Sequence, residues 1–416
     1  MRFLTVLFLI VSTNGFCQDL DFYKQQVDTL CSPYFFGRGY LKEGHKKSAE
    51  YLKSSYEQIG YEVTLQSFPM KANVFPAAKD IVLDDSHRLV LGQDFIPASY
   101  SNGISGSFPI YTVDSVFLTK QKEIDAFVGE KFRSVVAYDK TYLKKHKEEF
   151  SKEVIDKMAS SYAVIELTNG PLTGSVAPFT SNAVVLECLL SKWKRSAREI
   201  KLNIEAETRQ LESYNVVAVP KDFSKKKKTI IVTGHFDHLG GYGDKVFVSG
   251  ANDNASGVAM MLDLAKSLNN DQVNYVFIAF GGEEAGLIGS KYYVEHPLIN
   301  LKKTDLVVNL DLMGAGSKGL TIENGVELKD VADAFKIVND QYFYLPKIKT
   351  RKNAPNSDHF PFTEKKVSAV FLYSLGDVGG YHNVLDDKKD LEYGSYVGLF
   401  SLVKAVLESE QLYKTL

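Results

Sequence analysis

From Tyr214 onward the chain alternates between short, uninterrupted apolar runs and longer segments with helical spacing. The runs are NVVAV, TIIVTG, YVFIAF, LVVNLD and SAVFLY, a pattern expected of strands buried on both faces. Gly257–Leu268 and Leu391–Leu407 are the clearest helical segments among them. Alternation of this kind predicts an α/β fold with a mixed, largely parallel central sheet and helices on both faces. Upstream, residues 19–62 read as helical. Ala49, Leu52, Tyr56 and Ile59 recur at three- and four-residue spacing, and Gly60 supplies a C-terminal stop. Residues 61–68 (YEVTLQSF) alternate as a strand. From about 70 to 205 the texture changes to short strands, DIVL, RLVL, FPIYTV, SVVAYD, YAVIEL and AVVLECL, interrupted by one charged helical stretch at Lys140–Lys157. This predicts a strand-rich insert at 71–205 within a main domain made of 18–70 and 206–416.

Composition narrows the class without naming a chemistry. With 416 residues, 44% apolar and 24% charged, the chain is neither largely disordered, nor collagen-like, nor a polytopic membrane protein. Forty-nine basic against 51 acidic side chains leave a net charge of −2, with none of the basic excess of a nucleic-acid-binding surface. The first residues set the compartment. Met1-Arg2 brings one positive charge, Phe3–Val11 is apolar except for Thr5, and Ser12-Thr13-Asn14-Gly15 breaks the run. That order is a secretory signal, too short to span a bilayer as a helix. Gly15 and Cys17 occupy the −3 and −1 positions of a cut before Gln18, so residues 1–17 are read as a signal peptide and the mature chain as periplasmic or extracellular. Lipidation at Cys17 is the rival reading, disfavoured because Phe16 is not small. Cys31 and Cys188 then remain, too few for a disulfide scaffold and expected to be unpaired and buried.

Ligands of open α/β sheets gather at the carboxyl ends of strands, and the ends of these runs are chemically dense. TIIVTG leads into His235-Phe236-Asp237-His238, and the loop Gly250-Ala251-Asn252-Asp253-Asn254-Ala255-Ser256-Gly257 opens a helix. YVFIAF ends in Gly281-Gly282-Glu283-Glu284, LVVNL in Asp311, and SAVFLY precedes Gly379-Gly380-Tyr381-His382. Singly, Asp253 is a helix cap, Glu283-Glu284 a complement to a helix dipole, and Asp311 a turn residue. Jointly they put several carboxylates beside apolar strands, where unpaired charge is costly to bury and like charges repel unless a cation neutralises them. Two histidines and three carboxylates suffice for two metals with one carboxylate bridging. Imidazole and carboxylate without thiolate suit zinc and related divalent ions.

The segments GHFDHLG, GANDNASG, FGGEEAGLIGS, NLDLMG, NSDHFPF and YHNVLDD together resemble the zinc aminopeptidases of peptidase family M28, and SPYFFGRGYLKEGHKKSAEYL resembles the start of secreted bacterial members. The resemblance covers about residues 22–68 and 212–416, with 75–200 in the place of a protease-associated-type insert. It implies the zinc aminopeptidase (phosphorylase/hydrolase-like) fold and two Zn²⁺ per chain, other divalent ions being able to substitute. His235 and Asp311 would hold one ion, Glu284 and His382 the other, and Asp253 would bridge, followed by a cis peptide to Asn254. Asp237 would orient the His235 imidazole, Glu283 would be the general base, and Tyr381 would hydrogen-bond the oxyanion. Asp358 and His359 would form an outer element and not ligands. The expected activity is removal of N-terminal residues from peptide substrates, with no nucleic acid and no membrane span involved. The alternatives are a carboxypeptidase or dipeptidase on the same site, a glutaminyl cyclase, or a non-catalytic binding protein.

Overall fold

The continuous apolar runs are the inner strands of one eight-stranded sheet. In chain order these are β1 (Tyr61–Val74), β2 (Glu207–Pro220), β3 (Lys228–His235), β4 (Val273–Phe280), β5 (Leu306–Leu310), β6 (Gly319–Glu323), β7 (Ile348–Thr350) and β8 (Ala369–Leu375). The computed structural model, which describes residues 19–131 and 133–416, arranges them as β1-β2-β4-β3-β5-β8-β6-β7. Residues 1–17, expected from the sequence to be a signal peptide, lie outside the described residues. The central four, β4, β3, β5 and β8, are parallel, while β2 and β6 run antiparallel to their neighbours β4 and β8. Every residue of β4 and β5 is buried.

Helices explain that burial. Val232, Phe277 and Val308 face one core with α1 (Leu20–Leu30), α2 (Gly44–Ile59), α3 (Ser256–Ser267), α5 (Lys329–Tyr342) and α6 (Tyr393–Leu407). Ile231, Ile278 and Val307 face another, covered by Tyr293 and Val294 of α4 (Ile288–Glu295) and by Phe362. With both faces covered, strand residues of either parity are apolar and no alternation survives. Helix α2 buries Ala49, Leu52 and Tyr56, and Gly60 ends it at φ 115, a left-handed conformation that glycine adopts without a Cβ clash.

A second eight-stranded sheet lies between Ile81 and Ile204, with its own core. Strands β1 and β2 form the ribbon leading to it, paired without a break from Tyr61↔Pro220 to Val74↔Glu207, so main-sheet pairing continues past residue 70. The second unit is less purely β than its sequence reads. Ile104–Val113, Val135–Asp139, Ala163–Thr168 and Val185–Leu189 pair in parallel, and parallel pairs require crossovers. Helices Gln121–Gly129 and Lys152–Ala159 supply two of them, packing Phe127, Val154 and Met158 against Val113 and Val136. The charged stretch at Lys140–Lys157 is correspondingly two helices, the second capped by Ser151. Cys31 and Cys188 are buried in different cores as free thiols. Among the described residues no helix is long and apolar enough to cross a membrane.

Candidate metal centre

The carboxyl ends of β3, β4, β5 and β8 bring the chemistry of the sequence to one place. His235 closes β3, Glu283 and Glu284 follow β4, Asp311 follows β5, and His382 lies on the loop after β8. Asp253 enters on the turn Ala251–Ala255 that opens α3. Its carboxylate divides the cluster into halves. Oδ1 is 3.1 Å from His235 Nε2, which is also 3.3 Å from Asp311 Oδ1. Oδ2 is 3.0 Å from His382 Nε2, which is also 3.1 Å from Glu284 Oε2. His235, Asp253 and Asp311 bring ligand atoms within 4.8 Å of one another, as do His238, Asp253 and Glu284. Each half thus offers an imidazole, a terminal carboxylate and one oxygen of the shared carboxylate, a nitrogen and oxygen set that fits zinc-like divalent cations.

Backbone contacts explain why Asp253 is held there. The Asp253–Asn254 peptide is cis. Asn254 Nδ2 donates to the Leu310 carbonyl at the end of β5, and the Gly257 N–H donates back to Asn254 Oδ1. A Cβ on Gly257 would stand 2.6 Å from that same Leu310 oxygen, so only glycine lets α3 start this close to β5. The Asp386 carboxylate accepts the N–H groups of Asn252 and Asp253 at 2.7 and 3.0 Å. Beneath them Arg38, with no exposed surface, donates to the carbonyls of Leu30, Phe236, Ser249, Gly250 and Asp253 at 2.6–3.3 Å. Neither residue stood out in the sequence as functional. The available signals were the two glycines flanking Arg38 and the first Asp of VLDD.

Around these candidate ligands the geometry differs from expectation in detail. The Asp237 carboxylate is 3.9 Å from His235 Nδ1, whereas the Asp237 backbone carbonyl is 3.0 Å away, so the main chain orients that imidazole. The carboxylate instead accepts the Tyr40 hydroxyl at 2.8 Å and the Glu283 N–H at 3.1 Å. His238 Nδ1 lies 2.6 Å from Glu284 Oε1, a contact signalled by the second histidine of GHFDH. Asp358 and His359 are fully buried, and it is the neighbouring Ser357 that reaches the cluster, donating to Asp311 Oδ2 at 2.9 Å. Tyr381 stands at the rim, 58% exposed, its ring stacked 3.9 Å from that of His382. His382 has a left-handed φ of 56, and the second unit clasps it. The Gly174 N–H donates to the His382 carbonyl at 2.7 Å, and the Gly174 carbonyl lies 3.2 Å from His382 Nδ1.

Electrostatics mark the cluster as hungry for cations. Burial opposes protonation of His382, yet its contacts with Asp253 and Glu284 hold its pKa up at about 10. Against the same burial penalty, Asp311, Glu283 and Asp253 hold His235 well above the usual imidazole range. Burial pushes the Glu283 carboxyl well up, with Glu284, Asp358 and Asp311 adding to the shift and His235 opposing it. Concentrated negative charge in a low-dielectric site draws in either protons or metal ions. A cleft of about 260 Å³ opens over the cluster, lined by His235, Asp253, Glu283, Asp311 and His382 together with Leu312, Arg351, Asn356, Phe371, Tyr373 and Tyr381.

Residues 215–407 match the family model described as peptidase family M28. Aminopeptidase YwaD of Bacillus subtilis (strain 168) is 30% identical over 280 residues, covering 65% of this chain and 56% of that protein. An aminopeptidase of Pseudomonas aeruginosa (strain UCBPP-PA14) is 23% identical over 323 residues, covering 72% of this chain and 58% of that protein. The chain thus spans somewhat more than half the length of these curated relatives. The solved structure of BSAP, a zinc aminopeptidase from Bacillus subtilis, superposes with a TM-score of 0.67 over 93% of this chain and 94% of that one at 22% identity, a likeness of fold.

Proposed function

We infer that this chain, which carries a peptidase family M28 domain over residues 215–407, is a zinc-dependent exopeptidase that removes N-terminal residues from peptides. The observation that carries the reading is the division of Asp253, each oxygen facing its own imidazole and carboxylate pair. On this reading His235 and Asp311 hold one Zn²⁺, Glu284 and His382 a second, and Asp253 both. Bound there, two such ions supply Lewis acidity toward a peptide carbonyl and lower the pKa of a water from about 15.7 toward 7.

The remaining work falls to the chain. Glu283 lines the cleft with its carboxyl already raised by burial, which suits a base that takes a proton from water and passes it to the departing amine. Asp237 holds the Glu283 backbone through the N–H contact. The Tyr381 phenol at the rim is a hydrogen-bond donor for the oxygen that becomes negatively charged as the carbonyl is attacked. Substrates with a free amine place it near the carboxylate-rich side of the cleft. The leader-like residues 1–17 make the enzyme an exported one on the same reading.

Glu283→Gln tests the central assignment. The variant is expected to retain the zinc content of the wild type and to lose about 10²–10⁴-fold in kcat on aminoacyl amides, measured by elemental analysis alongside steady-state kinetics. Near-normal turnover would remove Glu283 from the role of base. Cleavage of N-blocked substrates alone would replace the aminopeptidase reading by a carboxypeptidase one.

A further inference from the structure

One cationic side chain lines the cleft that holds the carboxylate cluster. Arg351 is the sole Lys or Arg among the described residues lining it, and no carboxylate lies within ion-pair distance of its guanidinium among them. Its backbone is fixed on both sides, the N–H donating to the Ile322 carbonyl at 2.9 Å and the carbonyl accepting from the Val326 N–H at 3.2 Å. Its Nη1 donates to the Tyr373 hydroxyl at 3.0 Å, which sets the fork on the aromatic wall formed by Phe371 and Tyr373, whose ring centroids lie 5.2 Å apart. The carboxylate that feels Arg351 most directly is Glu323. It is 1% exposed, accepts from Asn356 Nδ2 at 3.2 Å, and has its pKa raised by burial, with Asn356 and Arg351 opposing the shift. Arg351 is itself exposed, and its remaining guanidinium N–H groups therefore form a pre-positioned, solvent-accessible donor fork lining the cleft. Planar forks of this kind bind carboxylates through two parallel hydrogen bonds and repel ammonium and guanidinium groups.

We propose that Arg351 receives a carboxylate of the substrate, making the enzyme selective for peptides that present one within the cleft. The proposal rests on the peptidase reading above. The carboxylate has two available sources, the side chain of an acidic N-terminal residue and the α-carboxylate of a dipeptide.

Two matched pairs separate the sources, assayed with the zinc-loaded full chain: the 4-nitroanilides of glutamate and glutamine, and Ala-Leu against Ala-Leu-amide. In one pair the charged member is expected to lead by about tenfold or more in kcat/KM, mostly through KM, the size of one charge-assisted hydrogen bond. Which pair shows the preference identifies the source. Arg351→Gln is expected to bring that ratio close to one, and Arg351→Lys to keep part of it. A ratio near one in both pairs for the wild type, or a ratio unchanged by Arg351→Gln, overturns the assignment. Hydrolysis of none of the four substrates overturns the peptidase reading itself, and this inference with it.

Discussion

Arg38 carries its charge with none of its surface in water and spends its donors on five main-chain carbonyls drawn from three separate segments. Two of those segments, the end of β3 and the turn before α3, hold metal-ligand candidates, so this side chain sets the distance between His235 and Asp253. Arg38→Met keeps much of the volume but removes every donor. Each buried acceptor left unsatisfied costs about 1–3 kcal/mol, so the variant is expected to lose more than about 3 kcal/mol in urea unfolding and to bind less zinc. A loss below about 1 kcal/mol would mean that water replaces the guanidinium. His359 illustrates the opposite economy, a base kept neutral. Burial holds its imidazole down at about 4, and Nε2 lies 3.0 Å from Asn353 Oδ1. The unfolded chain takes up a proton near 6.5 while the folded one refuses it until about 4. Stability from this group is therefore complete above 6.5 and drains as pH falls through that window, by as much as about 3 kcal/mol. The urea midpoint of the wild type is expected to drop more steeply between those pH values than that of His359→Gln. Parallel curves would contradict the assignment.

At the scale of elements, the loop around Gly174 is the second unit's contribution to the site. A Cβ at Gly174 would meet Leu239 Cδ1 at 3.0 Å and the Tyr242 hydroxyl at 3.2 Å, so Gly174→Val should push the loop off His382. Contacts that orient ligands typically carry 10–100-fold in metal affinity. Titration against a competing chelator is expected to show one zinc weakened by about that factor and the other retained, whereas equal loss of both would point to general damage. This loop also shows what sequence could and could not reveal. His235, Glu284 and Asp311 were visible because they close or directly follow apolar runs, where a charged residue is conspicuous, and Asp253 and His382 because they stand in glycine-rich loops beside those runs. The supports Arg38, Asp386, Ser357 and Gly174 were not, because they act on main chain or on residues up to about 200 positions away, which no local pattern encodes. The same holds for the elements. The inner strands were readable since cover on both faces leaves a continuous apolar signature. In the second unit only the charged helical stretch at Lys140–Lys157 was read, as one piece where there are two helices, and Gln121–Gly129 was missed, since its apolar face is short and lies among charges. Strand β1 was read as ending at residue 68 because alternation fades before pairing does.

Over the whole molecule, the main sheet and the second unit are joined by the β1–β2 ribbon and touch again where the second unit meets the loop after β8. The contact at His382 means that the closed arrangement of the two units and a filled metal site share the same hydrogen bonds. Such sharing is thermodynamically reciprocal. If docking of the second unit strengthens zinc binding by some factor, zinc binding strengthens docking by that same factor. The surface of the second unit, remote from the chemistry, then becomes an effector surface: anything that tilts it tunes the occupancy of the His382 half of the centre. Hydrogen exchange can read this coupling from the other end. Chelation of the metal is expected to speed exchange at the Gly174 amide by the factor that Gly174→Val costs in affinity, and exchange indifferent to metal would show that the two units dock independently of what the site holds.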